Sequence, residues 1–583
     1  MKKTEFLELE ESDGYETVEE KPGKVTNLVS RGRPRILRTG QKGRPRKQKL
    51  QKVNLAVNIE YPNPISFEDA MESEESSKWI NAMRTELSSL RENATWKILD
   101  RPKNKNVLSN KWVFCVKHKE DGSIDKYKAR LVVRGCEQRD GYDFSEVFAP
   151  VARYDTIRTL FAICANREMH LHHMDVVTAF VQGDLHDEIY MEMPKDPQHQ
   201  LNSDKVCKLL KPLYGLKQAS RQWHAKLNSF LKNIGLNQSS ADQCLYSMNK
   251  ASKTVIVVVY VDDLLIASDC MDLLMDTKRK LSSEFKMKDL GKVNQILGIS
   301  VYRDSNIGKI EISQKRYVEK LLNKFGMTDA KTVNTPMDSS QKLTKDLSPT
   351  SKEEILEMQE KPYRELIGAL IYLSNTTRPD IAFAVSTLSR FCSNPGKAHW
   401  IAAKRVLKYL KNTMDFKLIY RRSKEGITCY VDSDWGGDIT DRRSCTGYII
   451  MMAGAPVAWK SKKQKCVALS TMEAEYIAMC EATKEAVYFR KIFEDLGFRE
   501  YYKDPTIIYC DNQSAIKFAK DNLQHERSKH VDIRFHYSRE KQMEGFVKFL
   551  YVPTANMITD ILTKSLDRLK LENCIKLLMN ISN

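Results

Sequence analysis

The sequence predicts an α+β chain of several domains, and three observations support this. At 583 residues the chain is too long for one hydrophobic core, and roughly three to five domains is the expectation for that length. β-branched runs that read as strands recur along the chain beside stretches of helical periodicity. Strands tipped with carboxylates fall in two distant stretches, at Asp175 and Asp262-Asp263 and again at Asp432 and Asp511.

Composition narrows the class. With 42% hydrophobic and 29% charged residues, this is an ordinary globular composition. The net charge of +18 favours a polyanionic partner, with solubility as the plain alternative. Thirteen cysteines, among them Cys115, Cys136, Cys164 and Cys207, form no Cys-x-x-Cys pair. They fit reduced thiols of a cytosolic or nuclear protein better than disulfides or zinc sites. No apolar stretch approaches the roughly 18 residues of a membrane span. The start, Met1-Lys2-Lys3-Thr4-Glu5-Phe6, lacks a signal-peptide core. An intracellular protein without a membrane partner is expected.

Residues 1–60 read as a disordered tail, acidic at first and then basic from Arg31 to Lys52. Within it Gly32-Arg33-Pro34-Arg35 recurs as Gly43-Arg44-Pro45-Arg46 and resembles an AT-hook. Its extended arginines would suit the minor groove of duplex DNA; a basic linker or nuclear-localisation run looks the same. Order is expected from Tyr61. A helix follows from Ser66 to Leu90, with Trp79, Met83, Leu87 and Leu90 on one face. Lys111–Lys117 reads as β, Asp121-Gly122 as a turn, and Lys126–Gly135 as a basic strand whose cations face phosphates or solvent. Phe148-Ala149-Pro150-Val151 is a loop before a helix from Thr156 to Asn166.

His170-Leu171-His172-His173-Met174-Asp175 is a strand ending in a carboxylate. Without partner cysteines or a distant histidine pattern, its three histidines read as half-exposed strand residues rather than metal ligands. Thr254-Val255-Ile256-Val257-Val258-Val259-Tyr260-Val261-Asp262-Asp263 is a strand buried on both faces, and apolar residues resume at Leu264. This is a hairpin with two carboxylates at its tip. Adjacent acids resist burial unless a cation or open solvent relieves them. Mg²⁺ held by carboxylates and substrate phosphates meets that need; an acidic surface turn is the bland alternative. A helix is expected to end near Asp289.

Two blocks make the reading specific. Met174-Asp175-Val176-Val177-Thr178-Ala179-Phe180-Val181-Gln182-Gly183 and Tyr260-Val261-Asp262-Asp263 resemble the first and second catalytic motifs of a reverse transcriptase. The surrounding Lys128-Ala129-Arg130-Leu131-Val132, Phe148-Ala149-Pro150-Val151 and Leu213–Trp223 are similar to the copia class of long-terminal-repeat retrotransposons. The resemblance implies a right-hand polymerase fold, with fingers and palm over 61–310 and a thumb and connection region over 311–424. Asp175 and Asp262 would hold two Mg²⁺ ions (Mn²⁺ as the alternative), with Asp263 completing the acidic patch. Phe180 would be the gate against a ribose 2′-hydroxyl. Lys128 and Arg130 are candidates for the incoming phosphates, Gly215 and Gln218 for the nucleotide and template loop, and Leu297-Gly298-Ile299 for the primer-grip turn. Tyr363–Gly368 and Arg378-Pro379-Asp380-Ile381 are family blocks, more structural than catalytic. Lys404, Arg405, Lys408 and Lys411 mark a helical stripe that follows a duplex backbone or faces solvent.

A further domain is expected over 425–583. Asp432 and Asp511 end β runs, whereas Glu475 and Asp560 begin helices. Their order resembles the Asp-Glu-Asp-Asp quartet of an RNase H-like α/β domain, with Asp434 and Glu473 as rivals outside it. The resemblance implies two Mg²⁺ ions there, aimed at the RNA of an RNA–DNA hybrid. Ser528–His536 belongs to the same pattern. Cellular RNases H place a mobile histidine before the last acid, and none occurs in Phe549–Ala555.

The expected function is that of an RNA-directed DNA polymerase with ribonuclease H activity. Its partners would be RNA template, DNA primer, RNA–DNA hybrid and dNTPs, in a cytoplasmic virus-like particle or the nucleus. No protease, zinc-module or integrase motif is found, so the chain reads as a portion of a polyprotein, a truncated copy or a separate reading frame. The rival is a non-enzymatic nucleic-acid-binding remnant.

Overall fold

The computed structural model describes residues 63–118, 123–196, 204–304, 307–520 and 536–579. The expected tail over 1–60, the Asp121-Gly122 turn and residues 528–535 of the Ser528–His536 block lie outside the described residues.

The first helical stretch is two helices rather than one, Phe67–Glu72 and Ser76–Glu92. A capping box starts the first: Ser66 Oγ accepts from Asp69 N at 3.0 Å, and Asp69 Oδ2 accepts from Ser66 N at 3.1 Å. Trp79, Met83, Leu87 and Leu90 are buried, as their period requires. They share a core with Phe114 and Leu131 of the hairpin Asn110–His118 and Ile124–Val133.

The central sheet has six antiparallel strands. In spatial order these are Met287–Lys292, His170–Val176, Asp263–Ser268, Lys253–Tyr260, Leu245–Lys250 and Asn237–Gln238. Lys253–Tyr260 is buried from Thr254 to Val259, and its period of two divides those residues between two cores. Ile256 and Val258 pack with Ile157 and Phe161 of the helix Tyr154–Asn166. Val255, Val257 and Val259 pack with Trp223 and Leu227 of Ala219–Asn233 and with Leu274 and Leu281 of Met271–Glu284. The helix expected to end near Asp289 ends at Glu284 instead. Asp289 lies on an edge strand, where pairing with His170–Val176 overrides local propensity.

A four-stranded sheet follows: Gln295–Ile296, Ile299–Asp304, Lys309–Ser313 and the later Leu418–Tyr420. Between the last two strands lie helices including Tyr363–Thr376, Ala382–Ser389 and Lys397–Asn412. The Arg378–Asp380 block is a buried ion pair at 2.6 Å, joined by Tyr409 Oη at 2.8 Å from Asp380 and by the Thr413 carbonyl at 3.0 Å from Arg378. Half of the basic stripe on Lys397–Asn412 is already engaged. Arg405 donates to Thr335 Oγ1 at 2.9 Å, and Lys411 donates to the Ala330 carbonyl at 3.0 Å.

The last sheet has the order Ala455–Lys463, Cys445–Met452, Thr428–Ser433, Thr506–Cys510, Val547–Tyr551. Its first three strands are antiparallel and its last two run parallel to Thr428–Ser433. The helix Thr471–Leu496 packs across it, started by Ser470, whose Oγ accepts from Glu473 N. One hydrophobic core extends from Ala152 to Met579 and joins one face of the central sheet to the four-stranded sheet, its helices and the last sheet. Arg158, 2% exposed, pins three of them together. It donates to the carbonyls of Val457 (2.8 Å), Asn375 (2.6 Å) and Thr376 (2.9 Å), and its guanidinium lies 3.8 Å from the Trp459 ring.

Candidate active sites

The first site forms where two antiparallel strands meet. Asp175 near the end of His170–Val176 is the cross-strand partner of Asp263, the first residue of Asp263–Ser268. Val176 N donates to the Asp262 carbonyl at 2.8 Å, so the Asp175–Asp263 pair is a non-hydrogen-bonded one, with side chains on one face of the sheet. Tyr260 pairs with Asp263, which leaves a two-residue turn, Val261-Asp262. Val261 has φ +58° there, in the left-handed region that β-branched residues avoid. The Trp223 indole N–H donates to the Val261 carbonyl at 2.7 Å and fixes the turn. Strain held at the tip of a carboxylate-bearing hairpin is a common feature of functional sites.

The acids crowd one another. Burial, then the Asp263 charge, pushes the carboxyls of Asp175 and Asp262 above the usual carboxylate range. Asp263 has its own partner, His173 Nε2 at 2.7 Å. His172 lies 3.0 Å from Lys278 Nζ. His172 and His173 are buried and bonded rather than half-exposed, in a strand paired on both sides, whereas His170 is half-exposed as expected.

The expected substrate-side residues divide into two groups. Lys128 and Arg130 share one face of Ile124–Val133 and oppose the rise in the carboxyl pKa values of Asp175 and Asp262, respectively. Burial and the Arg130 charge hold the Lys128 ammonium below its ordinary value. Phe180 lies in the short turn Ala179–Gln182, half-buried and edge-on to Tyr214 at 5.0 Å, and Arg130 covers the same Tyr214 ring at 4.8 Å. Gly215 is exposed and directly follows Tyr214, whereas Gln218 is buried apart from that surface. A Cβ at Gly215 (φ +96°) would meet the Val133 carbonyl at 2.0 Å, so glycine permits a close approach of loop and strand. Gln218 is 1% exposed and donates to the Asp143 carbonyl (3.0 Å) and Asp187 (2.9 Å), while its own amide oxygen accepts from Gln138 (3.0 Å). At the Leu297-Gly298 turn, Tyr372 Oη donates to the Leu297 carbonyl and Gly298 has φ +75°.

Sequence reasoning assigns no role to Trp223, His173 or Tyr372. Trp223 closes the Leu213–Trp223 block without a signal of its own. His173, two residues before Asp175, shares its face of the strand, and that period of two is the signal that could have found it.

The second site lies at the C-terminal ends of two parallel strands. The register of Tyr430 with Tyr509 puts Asp432 and Asp511 at the same edge of the sheet. Glu475 reaches them from Thr471–Leu496: its Oε1 accepts from Ser433 N at 3.1 Å, and its ligand atoms cluster with those of Cys510 and Asp511 within 4.8 Å. Asp560 opens the short helix Asp560–Thr563, and Lys564 Nζ lies 2.7 Å from Asp560 and 3.7 Å from Asp432. Thr563 Oγ1 donates to Asp432, and Thr554 Oγ1 donates to Asp511 at 2.7 Å. All four expected acids therefore converge. Burial lifts the Asp432 carboxyl to about 7 against the pull of Lys564, and the nearby Asp560 and Asp511 charges add to the rise. Burial, then Asp432 and Asp511, raises Glu475 well above its usual value. The rivals have structural work: Glu473 accepts from Leu469 N at 2.7 Å, and Asp434 accepts from Cys445 N.

No helix among the described residues is long and apolar enough to cross a membrane. The profile of the reverse transcriptase (RNA-dependent DNA polymerase) family matches residues 93–339. The retrovirus-related Pol polyprotein from transposon TNT 1-94 of Nicotiana tabacum is 40% identical over 550 residues, 94% of this chain and 41% of that polyprotein. A transposon Ty5-1 protein of Saccharomyces cerevisiae is 36% identical over 314 residues, 54% of this chain and 100% of that protein. Among solved structures, a foamy viral protease-reverse transcriptase in complex with double-stranded DNA aligns with a TM-score of 0.44 and 12% identity, over 81% of this chain and 69% of that one. The chain spans less than half the length of the tobacco polyprotein. An identity of this level, sustained across nearly the whole chain and over the full yeast protein, means that the chain belongs to the retrovirus-related Pol polyproteins of copia-type transposons.

Proposed function

We propose that the chain is the RNA-directed DNA polymerase of a copia-type retrotransposon, with a ribonuclease H that degrades the RNA of the resulting hybrid. The observation that carries this reading is the pairing of Asp175 with Asp263 beside a strained turn that presents Asp262. Hard carboxylate oxygens that raise one another's pKa suit a divalent cation, and Mg²⁺ is the fitting ion. When bound, a pair of such ions would activate the primer 3′-hydroxyl and offset charge on the transferred phosphate.

The chain's own residues supply the remainder. His173 orients Asp263 by its hydrogen bond. Lys128 and Arg130 hold the triphosphate of a dNTP against the acids, and Phe180 leaves no room for a 2′-hydroxyl. Residues 61–310 would act as fingers and palm, 311–424 as thumb and connection, and 425–583 as the nuclease. In the nuclease, Asp432, Glu475, Asp511 and Asp560 would hold the metal pair. Lys564 balances their charge in its absence and would yield part of that role when the ions bind. Template RNA, DNA primer and hybrid are the macromolecular partners, duplex DNA is a candidate partner of the basic tail, and a cytoplasmic particle or the nucleus is the expected location.

The test is Mg²⁺-dependent primer extension on an RNA template, wild type against Asp262→Asn. Incorporation by wild type and its loss in the variant, with unchanged far-UV circular dichroism, is the expected result. Equal incorporation, or none by either protein, would instead favour the nucleic-acid-binding remnant.

A further inference from the structure

We infer that Glu86, on the helix Ser76–Glu92, is a positioning residue of the polymerase: its carboxylate acts from behind on Lys128 and Arg130 and keeps both charged and in place for the triphosphate of an incoming dNTP. The identity of the ligand rests on the polymerase reading above. Trp79, Met83, Leu87 and Leu90 of this helix share one core with Ala129, Leu131 and Val133 of the strand Ile124–Val133. The strand's period of two puts Lys128 and Arg130 on its other face. Glu86 interrupts the apolar face of the helix between Met83 and Leu87. It is 8% exposed, and its Oε1 has no hydrogen-bond partner among the described residues.

The plain reading is that Glu86 serves only to accept from the Leu131 backbone N–H. A neutral glutamine would accept that bond equally well, and a buried charge is costly unless a group of opposite sign offsets it. Burial raises the Glu86 carboxyl above its ordinary value, while the Leu131 N–H, Arg130 and Lys128 pull it back. The attraction is reciprocal. Burial, then Arg130, Lys117 and Lys126, hold the Lys128 ammonium below its ordinary value, and Glu86 pulls it up. Glu86 thus favours the charged form of a side chain that its other neighbours discharge. Arg130 Nε is also buried without an acceptor among the described residues, and its guanidinium lies 4.8 Å from the Tyr214 ring. That ring is the one edge-on to Phe180. Asp175 and Asp262 attract the same two cations from the cleft, but their charge would be directed to Mg²⁺ once the ions bind. Glu86 stands apart from the metal-holding acids and keeps its hold on Lys128 and Arg130 in the loaded site.

The experiment compares the full chain with E86Q and E86D on an RNA template carrying a DNA primer. Calorimetric titration of the matching dNTP, with a primer that ends in a dideoxynucleotide, reads binding in Mg²⁺ without chemistry. Extension of an ordinary primer gives kcat and KM. Glutamine is isosteric and removes a buried charge, so E86Q should keep the far-UV circular dichroism of the wild type. E86Q should weaken dNTP binding and raise KM for dNTP about ten-fold, the size of one charge-assisted contact, with kcat within about two-fold. E86D keeps the charge and should recover most of the affinity. Wild-type dNTP affinity in E86Q overturns the inference, as does a loss confined to kcat, which a merely structural role would give. A wild type that binds dNTP through Glu86 yet extends no primer ends the polymerase reading and keeps Glu86 as the support of a triphosphate site. A wild type that binds no dNTP overturns both.

Discussion

Replacing Arg158 by methionine should disable both halves of the protein at once. The side chain is buried, and its hydrogen bonds reach several layers. The Val457 carbonyl belongs to the last sheet, the Asn375 and Thr376 carbonyls lie at the end of the helix Tyr363–Thr376, and Asp155 Oδ1 at 2.5 Å is on its own helix. Methionine fills part of the volume but donates nothing. Asp155 would keep Arg153 at 2.7 Å, so the carboxylate is not stranded; three buried carbonyls are. Removing one member of a buried charged network costs about 3–5 kcal/mol. A folded protein has about 5–15 kcal/mol in total. Urea unfolding followed by tryptophan emission suits the test, because Trp459 stacks on Arg158. The midpoint should fall, and primer extension and hybrid cleavage should decline together on warming. A loss below about 1 kcal/mol, or the loss of one activity alone, would refute the argument that Arg158 unites the layers.

Three further expectations follow from the sites. Asp432 has a folded value of about 7, above its unfolded value of about 3.8, so the metal-free fold holds a proton that the unfolded chain lacks between those limits. Its contribution to stability therefore falls as pH rises through that window, by at most about 1.4 kcal/mol per unit. Asp432→Asn should reduce this slope, the rest of which the raised Glu475 carboxyl supplies, and Mg²⁺ should stabilise wild type more at pH 8 than at pH 6; identical slopes in the two proteins would contradict it. Phe180→Val should admit ribonucleotides, with discrimination falling roughly 10–100-fold in competition assays of rNTP against dNTP, and unchanged discrimination would move the gate elsewhere. Trp223→Phe keeps the ring in its core but removes the bond to Val261, so kcat should fall while KM for dNTP holds, by about 1 kcal/mol in barrier; a change in KM alone would argue that the loop, not the hairpin, depends on Trp223.

Much of this protein is legible in the order of its residues. The run from Thr254 to Val259 is apolar or β-branched at every position, and only a strand covered on both faces tolerates that. Carboxylates at the ends of such runs mark Asp175, Asp262, Asp432 and Asp511, because burial penalises an acid wherever no cation relieves it. Local patterning also identifies Trp79, Met83, Leu87 and Leu90 as one buried face. What the chain order could not give was anything set by distant partners. Asp289 is a strand residue because His170–Val176 offers an edge, and Gln218 is drawn from the cleft by Asp143, Asp187 and Gln138. The union of the layers through Arg158 and the bond from Trp223 to a strained turn likewise depend on groups far apart in sequence. Side-chain type and period are local properties of the chain. Which carbonyl or carboxylate a side chain meets is decided only when the tertiary structure brings the two together.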